Sequence, residues 1–598
     1  MTDSAALSRL IWDARYRAEG EVDIAATQRR VATALAAVEP SDQARHAAAF
    51  AAILKDFAFL PGGRILAGAG TGRDVTLLNC FVMGLVADSI PGIFRALEEA
   101  ARTMHQGGGI GADFSTLRPA GTPARATGTI ASGPVSFLAV WDAMCATLLS
   151  TGARRGAMMA TLRCDHPDIA AFIAAKREPG RLANFNLSVQ VTDDFIAAVR
   201  AGADWPLVFP AAAIPGQGET VTRAWPGHKT PVECRILARV SARALWQDLL
   251  RAAYDRGEPG VLFIDRINRL NPLAWREHIS ATNPCGEIPL PPNGACDLGA
   301  INLARLIREP FTPRARLDRD RLLALIPPAV RLLDNVLDAT RYPLPQQRAE
   351  TLATRRIGLG ITGLADALLM LGLPYDSAAA RLFAEDTMRA IRLAAIAASI
   401  ALAEEKSPFP AFASGPYLAA PTIAALPASL RDGIARHGIR NSHLTAIAPT
   451  GSISLLAGNL SPGIEPIFAA EQRRAIRDRD GTPRTHHLTD FAVAAWRQAG
   501  HTGTPPSFVP ATALPIAAHI GLLAALAPHV DNAISKTINV APDCPFADFA
   551  QVFDAAYDAG LKGCTAFRPR PETGAVLAPV DPAPPSPPHC PGPSCARD

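Results

Sequence analysis

The sequence predicts an α/β fold built from parallel strands, and two repeating patterns support this prediction. Short apolar runs at residues 77–82, 185–189 and 260–264 have the length and residue types of buried strands. Segments with apolar residues every three or four positions, such as 168–176 and 321–340, separate those runs and are typical of helices. Strands that alternate with helices along a chain favour parallel pairing, because each helix carries the chain back across the sheet.

Three regions follow from the composition along the 598 residues. Residues 1–75 are rich in alanine and leucine at helical spacing, so we predict an N-terminal helical region there. Residues 76–570 carry the alternation of strands and helices and form the predicted α/β domain. Residues 571–598 contain nine prolines and few large apolar residues, a composition that predicts a flexible tail.

Composition excludes several classes of protein. Hydrophobic residues make up 48% of the chain, and 59 basic residues against 55 acidic ones leave a net charge of +4. A balance this even predicts no binding of duplex nucleic acid or of an acidic membrane surface. The N-terminus lacks a signal sequence, and the longest apolar run, 393–403, is too short to cross a bilayer. We expect a cytoplasmic protein whose ten cysteines are reduced, catalytic or metal-bound.

The most informative motif places Asn283, Cys285 and Glu287 at alternate positions, with Cys296 eleven residues after the first cysteine. The proline and glycine between them disfavour a helix. We therefore predict an extended segment whose three side chains point the same way. A thiol flanked by a hydrogen-bond donor and a base suits chemistry at a sugar carbon that bears a hydroxyl group. The alternative is an ordinary cysteine in a turn.

Two other segments have the residue types of ligand-binding loops. Residues 107–114 contain four glycines and superficially resemble a dinucleotide loop, but the surrounding pattern does not fit, so we favour close backbone packing. Near residue 450, backbone N–H groups at a helix start would bind phosphate oxygens, and a plain helix cap is the alternative. This hydroxyl-rich stretch consists of Thr450, Gly451, Ser452, Ile453 and Ser454.

The C-terminal tail carries a pair of cysteines, Cys590 and Cys595. Two thiols on a flexible tether can reach an interior disulfide by thiol exchange and carry reducing equivalents outward. The alternative is half of a zinc site that includes His589.

Ordered segments along most of the chain resemble the catalytic subunit of ribonucleotide reductase. Among the classes of that family, the chain is most similar to the adenosylcobalamin (vitamin B12)-dependent class II enzymes. The resemblance is specific because many segments occur in the same order. They are residues 78–82, 109–114, 117–119, 155–159, 165–169, 184–189, 283–290, 297–303, 356–360, 449–454, 530–537 and 560–565.

This resemblance implies a fold and a mechanism. The implied fold is a ten-stranded α/β barrel of two five-stranded halves, with a central finger loop that presents the reactive thiol. Adenosylcobalamin would start the radical chemistry, and Cys285 would become the thiyl radical that removes the ribose 3′ hydrogen. Glu287 corresponds to the base for the 3′-hydroxyl proton, and Asn283 to its hydrogen-bonding neighbour.

The resemblance further implies how the electrons are supplied. Cys80 and Cys296 correspond to the pair that gives two electrons and closes to a disulfide. Cys590 and Cys595 correspond to the tail pair that reopens this disulfide, with a thioredoxin- or glutaredoxin-like protein as the external reductant.

The resemblance also assigns binding regions. Residues 450–454 correspond to the cradle for the substrate phosphates. The regions for a deoxynucleoside triphosphate or ATP effector, and for the loop that reports effector identity, contain Asp88, Ser89, Arg118, Lys176 and Arg181. The chain is more similar to the dimeric class II type, which implies a homodimer and a ribonucleoside diphosphate substrate. No nucleic-acid partner, membrane partner or metal site in the chain itself is implied.

Other classes of the family fit less well. A class I large subunit needs a radical-generating partner and a relay of tyrosines, but the six tyrosines here are scattered and Phe567 stands where a tyrosine is expected. A class III enzyme needs a glycyl-radical motif near its end, and the region before residue 75 does not resemble an ATP-cone. A nucleotide-binding relative without catalysis is a further alternative. All five redox cysteines, Asn283 and Glu287 are nevertheless present, which argues against it.

Overall fold

The structure is a computed structural model that describes residues 4–124, 129–150, 154–214, 216–477, 482–569 and 577–579. Cys590 and Cys595 lie outside the described residues. Within them, no helix combines the length and the apolar composition needed to cross a membrane.

The helices in chain order are α1 (Ser4–Arg15), α2 (Ile24–Ala36), α3 (Gln43–Leu54), α4 (Gly63–Gly68), α5 (Ile90–His105), α6 (Pro134–Thr147), α7 (Ile169–Ala174), α8 (Asp193–Ala201), α9 (Ala242–Arg256), α10 (Ile264–Arg269), α11 (Arg319–Ala339), α12 (Pro345–Thr354), α13 (Leu364–Met370), α14 (Ala378–Lys406), α15 (Ser414–Ala419), α16 (Pro421–Ala424), α17 (Ala428–His437), α18 (Gly451–Leu456), α19 (Phe491–Gln498), α20 (Ile516–Leu526) and α21 (Phe546–Asp558).

The strands in chain order are β1 (Phe59–Pro61), β2 (Cys80–Val82), β3 (Gly109–Asp113), β4 (Pro123–Ala124), β5 (Thr129–Ile130), β6 (Leu149–Ser150), β7 (Arg154–Arg155), β8 (Met158–Arg163), β9 (Phe185–Val191), β10 (Asp204–Pro210), β11 (Thr220–Arg223), β12 (Val232–Ser241), β13 (Gly260–Phe263), β14 (Ala281–Thr282), β15 (Pro289–Leu290), β16 (Ala295–Asn302), β17 (Ile307–Arg308), β18 (Arg316–Leu317), β19 (Ile357–Thr362), β20 (Glu471–Arg477), β21 (Pro483–Thr489), β22 (Thr537–Asn539), β23 (Gly563–Phe567) and β24 (Leu577–Pro579).

The central sheet consists of two groups of parallel strands that run in opposite directions. The first group is β2, β3, β8, β9 and β13, paired in that order. In the second group β16 pairs with β19 and β22 pairs with β23. Isolated parallel bridges from Leu359 to Thr445 and from Ile447 to Ile534 connect these two pairs. Antiparallel pairing of β2 with β16 and of β13 with β23 joins the groups.

This pairing returns to its starting strand, as expected for the predicted barrel of two five-stranded halves. Residues 445–447 pair with β19 on one side and with Ile534 on the other. Ile534 lies three residues before β22, which pairs with β23, so the second group is continuous from β19 to β23. The hydrogen-bonded sheet has ten strands because β1 also pairs with β16, although the bridging segment at 445–447 is not counted as a strand. The predicted α/β fold with parallel strands is therefore confirmed.

A short hairpin of β14 and β15 fills the centre of this ring. It contacts β3 closely: a Cβ built on Gly111 would lie 1.7 Å from the carbonyl oxygen of Thr282. Only glycine permits such an approach of two backbones. This contact confirms that the glycine cluster serves close packing. A small buried cluster surrounds the hairpin and consists of Cys80, Val82, Ala281, Ile288, Leu290, Cys296, Leu298 and Ala446.

Before residue 75, the described residues form helices α1–α4, a short 3-10 helix at Lys55–Phe57 and strand β1. Asp23 begins α2 by accepting a hydrogen bond from the N–H of Ala26, which satisfies an otherwise unpaired helix donor. The buried Trp12 of α1 donates to the hydroxyl of Thr27 at 2.7 Å. These contacts fix α1 against α2, and the C-terminal end of α1 reaches the start of α18, where Arg15 donates to Ser452.

Candidate functional site

The Asn283–Glu287 motif forms the turn of the central hairpin, not an extended segment. The N–H of Gly286 donates to the carbonyl of Asn283 at 3.1 Å, and the N–H of Asn283 donates to the carbonyl of Ile288 at 3.3 Å. Gly286 has a φ of +84°, a left-handed conformation that glycine adopts at little cost. The prediction of an extended segment was wrong because Gly286 reverses the chain. Asn283 and Glu287 then flank the turn, and Cys285 lies at its tip.

Contacts from three parts of the ring hold this turn in place. Asn186 on β9 donates from its side-chain amide to the carbonyl of Pro284 at 2.8 Å. The N–H of Ala533 donates to the carbonyl of Glu287 at 2.9 Å. On the near side of the hairpin, the hydroxyl of Thr161 donates to the carbonyl of Ser280 at 2.9 Å. The backbone is therefore tied to the barrel wall on both sides of Cys285, at Pro284 and at Glu287.

Cys80 and Cys296 lie directly opposite each other on the antiparallel strands β2 and β16. Residues opposite each other in such a pair have Cα atoms about 4.5–5.5 Å apart, which is within the range that a disulfide spans. Both side chains are buried and both thiols are free. The two cysteines are thus placed to form a disulfide without rearrangement of the strands.

Glu287 and Asn283 both contact the Cys80 sulfur. The Cys80 thiol donates to Glu287 Oε1 at 3.8 Å, and Asn283 Nδ2 donates to Cys80 Sγ at 3.2 Å. Burial raises the pKa of the Glu287 carboxyl, and a hydrogen bond from Asn283 opposes that rise. Glu287 Oε2 has no hydrogen-bond partner within the described residues. A buried carboxylate with a free oxygen and a raised pKa is suited to exchange a proton with a bound hydroxyl group.

Burial keeps all three thiols of the site protonated. It raises the pKa of Cys80 and Cys296 well above the ordinary thiol value, with further increases from Glu287 for Cys80 and from Asp297 for Cys296. Burial and then the charge of Glu287 also raise the pKa of Cys285. A protonated thiol is the form that can give or receive a hydrogen atom, so these environments favour radical over thiolate chemistry.

Cys285 faces a large cavity of about 870 Å³, a volume near the upper end for ligand pockets. Its side chain is exposed on the cavity side, while protein surrounds it elsewhere. Its lining includes the apolar residues Phe468, Leu523, Ala527, Val530 and Ile534. The cavity thus combines an exposed thiol with a large apolar lining, which fits a bulky, largely apolar cofactor.

Acidic groups on the cavity wall are matched by cations or by a shared proton. Lys536 donates to Glu465 at 2.6 Å, and Glu258 receives a hydrogen bond from Lys176 at 2.8 Å. Asp490 is buried against Asp366, and burial followed by the charge of Asp366 raises its pKa well above the ordinary range. The cavity wall therefore carries little net negative charge.

The predicted phosphate segment is connected to the same cavity through Pro449. Thr450 adopts a φ of +49° before α18, and its hydroxyl accepts a hydrogen bond from the N–H of Gly463 at 2.7 Å. It also lies 3.0 Å from the Ser454 hydroxyl. Gly451 faces open space, whereas Ile453 is buried. The segment is the start of α18; it is rich in hydroxyl groups and lies at the border of the cavity.

The predicted effector residues fall into two places. Asp88 accepts hydrogen bonds from Arg118 Nε at 2.7 Å and from the backbone N–H of Arg118 at 3.1 Å, and Ser89 begins α5 as its N-cap. Lys176 instead contacts Glu258 at the wall of the cavity, and Arg181 is exposed on the loop that follows α7. Asp88, Ser89 and Arg118 therefore lie together, whereas Lys176 is held at the cavity wall by Glu258.

One group of possible metal ligands lies where the N-terminal region meets the C-terminal end of α14. Glu39, His46 and Glu405 place one ligand atom each within 4.8 Å of the others. Glu39 already pairs with Lys406 at 2.7 Å and with Arg331 at 3.2 Å. Two adjacent cations oppose the binding of a metal ion there, so these residues form an ion-pair network.

Sequence reasoning missed three residues of the site. Asn186 lies within one of the segments that carry the family resemblance, so that segment was a usable signal. Arg474 lines the cavity, and Arg15 contacts the phosphate segment. Arg15 lies in an ordinary helix and Arg474 beside Arg473 in an ordinary strand, so their positions at the site emerge only when the chain is folded.

Comparison with known proteins agrees with this geometry. Residues 78–567 match the family described as "Ribonucleotide reductase, barrel domain". A vitamin B12-dependent ribonucleoside-diphosphate reductase of Mycobacterium tuberculosis (strain CDC 1551 / Oshkosh) is 40% identical over 578 residues, 93% of this chain and 77% of the relative. A relative of the same name from Thermoplasma acidophilum is 35% identical over 547 residues, 88% of this chain and 66% of the relative. A ribonucleoside-diphosphate reductase subunit alpha of Chlamydia pneumoniae is 29% identical over 476 residues, 73% and 45% of the two chains.

Proposed function

This chain belongs to the ribonucleotide reductase family, and we propose that it reduces ribonucleoside diphosphates to 2′-deoxyribonucleotides with adenosylcobalamin as its cofactor. The observation that carries the proposal is the arrangement at the finger turn. A cavity-facing thiol, Cys285, lies beside two opposed buried thiols, Cys80 and Cys296. A carboxyl group, Glu287, contacts one of those thiols.

The residues would divide the chemistry as follows. The Cys285 thiyl radical takes the 3′ hydrogen of the bound ribose, while Glu287 accepts the 3′-hydroxyl proton. The 2′-hydroxyl leaves as water after a thiol of the Cys80–Cys296 pair protonates it. The other thiol of the pair then gives a hydrogen atom to C2′, and the pair gives one further electron as it closes to a disulfide. Glu287 returns its proton to the 3′ oxygen, and Cys285 returns the hydrogen to C3′. The carbon–oxygen bond is reduced and two thiols are oxidised, so atoms and electrons balance.

The burial of the site supports this use of a radical. Water and stray hydrogen donors would quench a thiyl radical, so the reacting thiol must be enclosed. Cys80, Cys296, Asn283 and Glu287 are all buried, whereas Cys285 is exposed to the cavity, so bound substrate and cofactor would have to exclude water from it. Asn283 bonds the Cys80 sulfur and so holds that thiol beside the carboxyl of Glu287.

When bound, adenosylcobalamin supplies the first radical. The apolar lining residues Phe468, Leu523, Ala527 and Val530 would hold the cofactor within the cavity that Cys285 faces. The names of the relatives from Mycobacterium tuberculosis and Thermoplasma acidophilum include dependence on vitamin B12, which supports this choice of cofactor over a separate radical-generating subunit.

Further parts of the proposal concern partners and organisation. Cys590 and Cys595 would reopen the internal disulfide, using a thioredoxin-like reductant. A deoxynucleoside triphosphate or ATP would bind near Asp88, Ser89 and Arg118, and the loop with Lys176 and Arg181 would report on it. We further propose that the protein is a homodimer in the cytoplasm, where its thiols stay reduced. The chain would consist of three regions with boundaries at residues 75 and 570.

Turnover by the purified protein tests the function directly. With adenosylcobalamin, a small dithiol and cytidine diphosphate (CDP), the chain alone should produce deoxycytidine diphosphate, measured by chromatography. Activity that appears only after a metal-containing second subunit is added would instead assign the chain to class I. Absence of deoxynucleotide under both conditions would contradict the proposed function.

A further inference from the structure

We infer that Arg15 and Arg474 form a cationic subsite for the terminal phosphate of the substrate, so that the N-terminal helix α1 helps to select a diphosphate. This inference rests on the proposed function and specifies the substrate of the same site. Arg15 lies outside residues 78–567, which match the family.

Arg15 is placed by the packing of α1 on α18. The hydroxyl of Ser4, at the start of α1, donates to the carbonyl of Gly458 at 3.4 Å. A Cβ built on Gly458 would lie 2.2 Å from that hydroxyl oxygen, so the two segments approach closely. At the other end of α1, Arg15 donates from a guanidinium nitrogen to the Ser452 hydroxyl at 2.9 Å. A guanidinium group therefore lies directly on the predicted phosphate segment.

Arg474 approaches the same place from the cavity. It lies on β20 and lines the cavity that also contains Cys285 and Pro449, the residue before the phosphate segment. Burial lowers the pKa of Arg474, and the nearby charge of Arg15 lowers it further. Arg474 thus lines the cavity that borders the phosphate segment, and Arg15 contacts that segment from α1.

This arrangement has the character of an anion site. Within the residues that the structure describes, Arg474 forms no ion pair with a carboxylate, whereas Glu465 and Glu258 on the same wall each have a lysine partner. A partly buried cation without a carboxylate partner is unfavourable unless an anion binds beside it. Guanidinium groups bind phosphate oxygens through paired hydrogen bonds, so a phosphate group is the ligand that fits.

Two phosphate-containing ligands are expected in this cavity, the substrate and the cofactor, whose nucleotide loop contains a phosphodiester. The contact between Arg15 and Ser452 favours the substrate, because Ser452 belongs to the segment predicted to hold its phosphates. A nucleotide held by this segment would extend its sugar toward Cys285 and its terminal phosphate toward the two arginines.

The test compares binding of CDP and cytidine monophosphate (CMP) by calorimetry in wild type, Arg15→Gln, Arg474→Gln and Arg473→Gln. Arg473 is the exposed neighbour on β20 and serves as the matched control. In wild type, CDP should bind at least about tenfold more tightly than CMP, since hydrogen bonds to charged groups contribute that much or more. Arg15→Gln and Arg474→Gln should each reduce this ratio severalfold, leave the affinity for CMP nearly unchanged and preserve the melting temperature. Arg473→Gln should keep the wild-type ratio.

Several outcomes would overturn the inference. A CDP-to-CMP ratio that is unchanged in both Arg15→Gln and Arg474→Gln would do so while leaving the proposed function intact. The substitutions could instead weaken the binding of adenosylcobalamin, measured by its visible absorbance, and leave the CDP-to-CMP ratio unchanged. That result would assign the arginines to the cofactor site. Failure of the wild type both to bind CDP and to reduce it would contradict the proposed function and the inference together.

Discussion

Cys80 and Cys296 face each other across the antiparallel strands β2 and β16, with the Cys80 sulfur 3.8 Å from Glu287 Oε1 and 3.2 Å from Asn283 Nδ2. Rigid strands on both sides fix this pairing, so the two thiols can be oxidised and reduced without unfolding of the barrel. We propose that the opposed thiols act as a store of two electrons beside the reactive turn.

The first prediction concerns this store. In a Cys590→Ser background, reduced protein freed of dithiol should make about one deoxynucleotide per active site and then stop, because one pair of thiols supplies the two electrons needed. Mass spectrometry of alkylated peptides should find Cys80 linked to Cys296. Cys234→Ala, at a buried cysteine in a separate cluster, should leave the yield unchanged. Several products per site, or a disulfide elsewhere, would contradict the assignment.

The second prediction concerns the protonation of Cys285. Because burial raises its pKa, the thiolate fraction should stay small at pH 8 and increase only in more alkaline solution. Alkylation by iodoacetamide should therefore be at least about tenfold slower at pH 8 than that of free glutathione, since the thiolate is the reactive form. Peptide mapping across pH 7–10 measures the rate. An alkylation rate that reaches a plateau below pH 9 would contradict a raised pKa. Separately, turnover by Cys285→Ser with any reductant would exclude Cys285 from the mechanism.

Asn186 provides the third prediction, because its amide donates to the carbonyl of Pro284 next to the reactive thiol. Asn186→Ala should lower kcat about tenfold with little change in KM, since misplacement of a reacting group affects the chemical step more than binding. The loss of one hydrogen bond should cost about 1 kcal/mol of stability. Asn184→Ala is the control, because Asn184 bonds Asp142 instead. Equal losses of kcat in both variants would indicate a merely structural role for Asn186.

The fourth prediction concerns the tail. Cys590→Ser should retain turnover with a small dithiol, which can enter the cavity, and should lose most turnover with thioredoxin. The physical reason is that a protein reductant cannot reach the buried Cys80–Cys296 pair. Assays with the two reductants side by side measure the difference. Equal loss with both reductants would refute a shuttle role for the tail.

The fifth prediction follows from the buried pair of Asp366 and Asp490. Burial, and for Asp490 the charge of Asp366, raises their pKa values, so the folded state holds a proton that the unfolded chain releases above about pH 4. The unfolded state then binds fewer protons, and stability falls as pH rises toward the folded-state pKa. Asp490→Asn keeps the oxygen that accepts from the N–H of Ala492 and removes the acidic proton.

The melting temperature of Asp490→Asn should therefore fall less than that of wild type between pH 5 and pH 8. The difference in stability should grow by at most about 1.4 kcal/mol per pH unit. Asp204→Asn, at an exposed carboxylate on β10, is the control and should follow the wild type. Parallel curves for wild type and Asp490→Asn would contradict a shared proton.

How much of the fold could be predicted depends on the range of the interactions. The alternation of apolar runs with helical periods was sufficient for an α/β fold with parallel strands, because side-chain periodicity is a local property of the chain. The closure of the ring depends on single bridges, such as Ile447 with Ile534, which join residues far apart in sequence. No local pattern specifies such pairings, and the barrel was predicted only through family resemblance.

The sequence by itself determined which chemical groups the site has: three thiols, an amide and a carboxyl in the order typical of the family. Only the tertiary structure decided their arrangement. Gly286 turns the motif back on itself, the pairing of β2 with β16 opposes Cys80 and Cys296, and packing of α1 on α18 brings Arg15 to Ser452. The physical reason is that identity and spacing are encoded along the chain, whereas proximity between distant residues arises when apolar surfaces are buried together.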